Sequence, residues 1–235
     1  RRLREEAPLY HNEQYDFYAV SRFPDVEKGL QDNATFSSAR GNILEVIKID
    51  MEFPSGVLIF EDPPIHTAHR NLLARLFTPR RISNLEAKVR EFTVQALEPL
   101  VGANEFDFVR HLGAQMPIRV IGMLLGIPEQ DLQAVREKGD NIMRTETGKP
   151  MDKDNLADNM SGERFEEYID WRIKHPADDV MTELLTTEFK DDKGVTRTLT
   201  RDEVLTLVNV LSVAGNETTN RLIGWTGKIL GEHPD

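Results

Sequence analysis

The sequence predicts a mainly α fold, with many helices around a long central one and a small β element near the N-terminus. Three observations predict it. Apolar residues recur at three- and four-residue spacing from Asp62 almost to the C-terminal end. The pattern Thr200-x-x-Glu203 is a capping box that opens a helical stretch from Arg201 to Leu230, about 45 Å long at ~1.5 Å per residue. Alternating, strand-like runs occur only near the start.

In chain order, Leu9–His11 and Phe17–Ser21 flank a polar turn and read as a hairpin. Phe23 to Leu30 reads as a short helix. Residues 33–61 hold Gly41, Pro54 and Gly56 and read as a long loop with some local structure. In "DPPIHTAHRNLLARLF", Asp62 is the expected N-cap and Pro63 occupies the first turn. Thr78-Pro79 closes that helix and caps the next, whose stripe runs through Ile82, Leu85, Val89, Phe92, Ala96 and Leu100. Residues 108–125 are expected to form one apolar helix, ended by Gly126 and Pro128. Asp131–Arg144 is a weaker amphipathic helix. Thr145–Met160 is polar and reads as a lid. Arg164–Ile173 and Asp178–Leu185 are short helices, and Gly231 with Pro234 ends the last.

Length and composition bound the function. The 235 residues read as a single domain, 1–235, with 39% hydrophobic and 29% charged residues. A net charge of -11 argues against a general nucleic-acid binder. No apolar run approaches a membrane span, and no signal-peptide pattern opens the chain. Cysteine is absent, which excludes disulfides, zinc thiolates and a cysteine nucleophile, and fits a cytoplasmic protein. The chain starts at Arg1 and stops at "GEHPD", so a fragment is expected.

Two stretches carry chemistry. "VNVLSVAGNETTNRLIGW" puts Gly215, an acid and two threonines inside an apolar helix. Three readings stand: a break into two helices, one helix with a Glu217–Arg221 ion pair, or a functional interruption. In the third, Val210, Val213, Ala214, Glu217 and Thr218 share a face. Ala214 and Gly215 remove bulk there. The Thr218 hydroxyl returns to the Ala214 carbonyl and loosens the ladder, and Glu217 handles protons. In the second stretch, His66 and Arg70 stand four apart and can grip a carboxylate, or merely form a solvated face. His66 with His69 as a metal pair has no third ligand at helical spacing, which leaves a metal hydrolase weakly supported. Arg70, Arg75, Arg80 and Arg81 form a basic island with no acid between His66 and Arg81, either solvated or able to steer an acidic partner.

"AGNETT" resembles the oxygen-activation motif of the long central helix in cytochrome P-450 monooxygenases, alanine/glycine-glycine-x-acid-threonine. "DPPIHTAHR" with "FTPRR" resembles that family's haem-propionate helix, particularly the soluble bacterial type. "PLYHNEQYDFYAVSRFPDV", "LLGIPEQD" and "HPADDVMTELL" also resemble family segments, in the family's order. The resemblance covers nearly the whole chain and implies a partial cytochrome P-450 fold. It implies that His66 and Arg70 bind haem propionates, and that Ala214 and Gly215 lie over the distal face of haem b. Leu58 and Ile59 would touch the haem edge, Glu217 and Thr218 would be the acid–threonine pair, and Val210, Val213 and Ala214 would face substrate. Residues 131–165 would roof the pocket. It further implies O2 as co-substrate, electrons from NAD(P)H through a ferredoxin or flavodoxin-type donor docking at the basic island, and hydroxylation of an apolar or amphiphilic small molecule. The family's glutamate-x-x-arginine motif and its haem-ligand cysteine are missing here, so no metal ligand is expected in this chain, which alone should be inactive. The alternative is an all-α small-molecule binding or regulatory protein without catalysis.

Overall fold

The structure, a computed structural model, describes residues 1–142 and 153–233. Helix α1 (Arg2–Glu6), absent from the sequence reading, is an exposed turn tied by Arg1–Glu5 and Arg2–Glu6 pairs. The hairpin follows as expected. Strands β1 (Leu9–Asn12) and β2 (Phe17–Val20) pair antiparallel, Leu9 opposite Val20, and the Asn12 side chain accepts the Tyr15 N–H to close the turn. Helix α2 (Phe23–Gln31) carries Pro24 in its first turn, where no N–H is needed. The long loop to residue 61 contains only α3 (Leu44–Ile47) and a 3₁₀ turn, Leu58–Phe60.

Helix α4 (Ile65–Leu76) begins without a side-chain cap. Asp62 was the expected cap. Its carboxylate instead holds the preceding loop, accepting from the Ser37 hydroxyl and the Ser38 N–H, and these bonds lower its pKa. Thr78 caps α5 (Pro79–Asn84), accepting the Arg81 N–H. Helix α6 (Glu86–Leu97) continues the stripe. The expected single helix at 108–125 is two pieces, a π turn (Val109–Gly113) and α7 (Met116–Leu125). Pro117 explains the break, because it cannot donate to the preceding turn. Gly126 ends α7 in the left-handed region, φ 76°, as expected.

Helix α8 (Leu132–Ile142) matches its expected start; residues 143–152, where much of the expected lid falls, lie outside the described residues. The rest of that segment is helical, α9 (Lys153–Ser161). Its Leu156 is buried against Val46, Val57 and Phe60, an anchor that the polar composition hid. Helices α10 (Glu166–Lys174) and α11 (Val180–Thr186) follow, then a second hairpin, β3 (Phe189–Lys190) with β4 (Thr196–Arg197), which the sequence reading missed. Gly194, at φ 77°, makes its turn.

Helix α12 (Arg201–Glu232) runs unbroken for 32 residues behind the predicted capping box. Gly231 lies inside it rather than ending it; Pro234 is outside the described residues. Residues Glu203–Asn209 are buried on every side, which is why this segment reads as apolar with weak amphipathicity. Around it pack Leu72 and Leu76 of α4, Ile118 and Leu125 of α7, Ile169 of α10 and Leu184 of α11. The far half is open on one side, with Leu222, Trp225 and Ile229 exposed.

Candidate functional site

Between residues 213 and 221, α12 keeps its helical course, so the two-helix reading of AGNETT falls. The Thr218 hydroxyl donates to the Ala214 carbonyl at 2.8 Å, the bond the sequence suggested. Ala214 and Thr218 are both exposed, side by side one turn apart. Gly215 is not with them. A Cβ there would stand 3.2 Å from the Ile121 side chain of α7, so this glycine sets how closely two helices approach. The expectation that Ala214 and Gly215 open one surface together is corrected: successive residues on a helix turn ~100° apart, and only Ala214 faces outward.

Glu217 forms the i,i+4 ion pair with Arg221, 2.6 and 3.0 Å, as the ion-pair reading expects. Its carboxylate lines a cleft of about 590 Å³ walled by Val109, Ile118, Val135 and Val213. Asn216 and Asn220 also line it, each with a buried Oδ1 that has no hydrogen-bond partner among the described residues. Sequence reasoning passed over both, and amides in an apolar helix were the available signal. Val210 was expected beside Val213, but it packs against the Val46–Phe60 cluster instead. Three residues along a helix leave their side chains ~60° apart, and that difference divides them.

On α4, His66 is half-buried and Arg70 exposed, and the Arg70 guanidinium makes no ion pair among the described residues. The basic island is less free than its sequence. Arg81 pairs with Glu183 at 2.6 Å, and Arg75 donates to the Glu188 carbonyl. Hydrogen bonding to Glu183 raises the Arg81 pKa. No acid is near in sequence; folding brings α11 across. Leu58 packs on the core, while Ile59 is exposed. His69 is fully buried with its nitrogens toward Glu61 and Glu203, and no cluster among the described residues could hold a metal ion, so the His66–His69 metal pair falls.

Glu203 sits where the capping box meets this network. Burial alone would push its carboxyl up, but two hydrogen bonds from Arg197 and one from the Thr200 N–H bring it down to about 2. A depressed carboxyl stabilises the fold above its ordinary value of 4.5, and that stability is lost as pH falls from there toward about 2. Glu203→Gln should therefore lower the denaturation midpoint at pH 6 and narrow its gap from the wild type at pH 3, read by urea titration.

No protein-family profile matches the chain. Curated relatives and solved structures do. Cytochrome P450 130 of Mycobacterium tuberculosis is 30% identical over 249 residues, covering 100% of this chain and 59% of its own length. The structure of a mutant of P450 EryK in complex with erythromycin B aligns at TM-score 0.81 and 30% identity, over 99% of this chain and 58% of that one. That of CYP109E1 from Bacillus megaterium in complex with testosterone gives TM-score 0.82 at 27% identity, over 99% and 60%. The chain spans about 58% of the length of the first curated relatives it matches.

Proposed function

The chain belongs to the cytochrome P450 family, and from that premise we propose that it forms the distal, oxygen-handling part of a bacterial haem-thiolate monooxygenase. The observation that carries this reading is the exposed Ala214–Thr218 step on α12, with Glu217 beside it at the mouth of a cleft.

The residues present fit one side of a haem. Arg70 is exposed, unpaired among the described residues and one turn beyond His66, as a propionate grip requires. Ala214 leaves a flat approach to α12, and exposed Ile59 suits the ring edge. They do not supply the iron ligand, since the sequence has no cysteine; in a haem-thiolate enzyme that ligand would have to come from residues outside these 235. When bound, haem b supplies oxygen activation with electrons that a ferredoxin or flavodoxin-type donor passes on from NAD(P)H.

This chain's residues do the rest. His66 and Arg70 bind and orient through charge-assisted hydrogen bonds. The Thr218 hydroxyl holds a proton at Oγ1, and can donate outward when it leaves the Ala214 carbonyl. The Glu217 carboxylate exchanges protons with solvent in the cleft, releasing Arg221 as it does so. Val213 belongs to the apolar wall that a substrate would meet, which suits an apolar or amphiphilic small molecule. Two structural relatives hold such molecules, testosterone and erythromycin B. Of the basic island, Arg70 is committed to haem and Arg75 and Arg81 are engaged, leaving Arg80 to attract an acidic donor. No helix among the described residues is long and apolar enough to cross a membrane.

Arg70→Ala should raise the haem dissociation constant roughly 10- to 100-fold, the worth of one charge-assisted contact. Haem absorbance after gel filtration reads this directly; full occupancy would remove the propionate role.

A further inference from the structure

His69 plays no part in the reading above, yet it is 0% exposed on α4, between His66 and Arg70 in sequence. Its Nδ1 lies 3.0 and 2.9 Å from the two Glu61 oxygens. Its Nε2 lies 3.9 Å from Glu203 Oε1 and has no hydrogen-bond partner among the described residues. Glu61 directly follows the 3₁₀ turn that carries Leu58 and Ile59, and it is itself held by the Gly56 N–H at 2.7 Å. Glu203 is fixed at the start of α12 by Arg197, Thr200 and Ser55. The Phe189 ring of β3 lies 5.8 Å from the imidazole, and the Arg197 guanidinium lies over the same ring at 4.9 Å. His69 thus touches the loop before α4, the first turn of α12 and the second hairpin.

The charges around the ring decide its form. Glu61 and Glu203 face it directly, and the Arg197 guanidinium is shared between Glu203 and Asp191, which leaves Glu61 without an arginine partner among the described residues. A neutral imidazole donating from Nδ1 to Glu61 would turn a bare lone pair at Nε2 toward the Glu203 carboxylate. An imidazolium presents a donor to each and offsets part of the buried negative charge.

We propose that His69 is the positioning residue of the haem grip: as an imidazolium locked between Glu61 and Glu203, it fixes α4 against the start of α12 and so fixes where His66 and Arg70 stand. This rests on the reading that His66 and Arg70 hold haem propionates. His69→Phe keeps a ring against Phe189 but removes both donors and leaves two carboxylates facing each other. His69→Gln keeps one donor.

The test uses the haem-loaded protein with ¹⁵N-labelled histidine. Two-dimensional spectra near neutral pH should show protons on both ring nitrogens of His69; a single protonated nitrogen overturns the proposal, whether or not any variant folds. Haem dissociation should be about tenfold faster in His69→Phe and intermediate in His69→Gln. A folded His69→Phe with wild-type dissociation, beside a defective Arg70→Ala, overturns this proposal alone. Normal haem binding in Arg70→Ala overturns the underlying reading and this proposal together.

Discussion

Thr218→Ala is expected to cut product formed per electron pair by roughly 10²-fold while peroxide release rises to match the oxygen consumed. The hydroxyl is the one hydrogen-bonding group on the exposed step it shares with Ala214, so alanine leaves the shape and removes the donor. Folding should hardly change. A threonine bonded back to its i−4 carbonyl adds little to a helix, and alanine is the better helix former. Thermal melts of both proteins provide that control. Unchanged coupling between oxygen uptake and product would remove Thr218 from the chemistry.

Gly162→Ala is expected to lower stability by more than ~3 kcal/mol, about 150-fold in the folded-to-unfolded ratio. Gly162 stands at φ 78°, a conformation alanine resists, and its position is tighter still. An added Cβ would lie 2.3 Å from the Leu205 carbonyl oxygen, a backbone atom in the buried part of α12. Neither partner can yield without moving the end of α9 or the start of the central helix. By contrast, Gly194 is also left-handed, but a Cβ there meets nothing within 4 Å, so Gly194→Ala should cost only the backbone term. Urea titration of the two variants separates steric clash from conformation; similar losses in both would show that the close approach at Leu205 is not real.

These positions show what the sequence could reveal. The capping box announced α12 because its signal is local: a hydroxyl and a carboxylate three residues apart satisfy each other's backbone groups. The first hairpin, the Thr78 cap and the Gly126 stop were legible for the same reason. Asp62 was misread because its partners, Ser37 and Ser38, lie over twenty residues away along a loop. The β3–β4 hairpin is too short for alternation to show. In the site, the Thr218–Ala214 bond follows from four-residue spacing, but Gly215's role depends on Ile121, which no local pattern connects to it. The basic island looked free for the same reason, until α11 brought Glu183 to Arg81. The His69 network joins residues 61, 69, 197 and 203; only its Thr200–Glu203 corner left a trace in the sequence.

The most direct test of the central claim, that α4 and α12 together hold the haem of a haem-thiolate site, is the absorbance of the whole reduced protein under carbon monoxide. A Soret band at the thiolate-ligated position, lost along with haem in the His66→Ala, Arg70→Ala double variant, is the predicted result. A protein that takes up no haem, or a double variant whose band is unchanged, would contradict it.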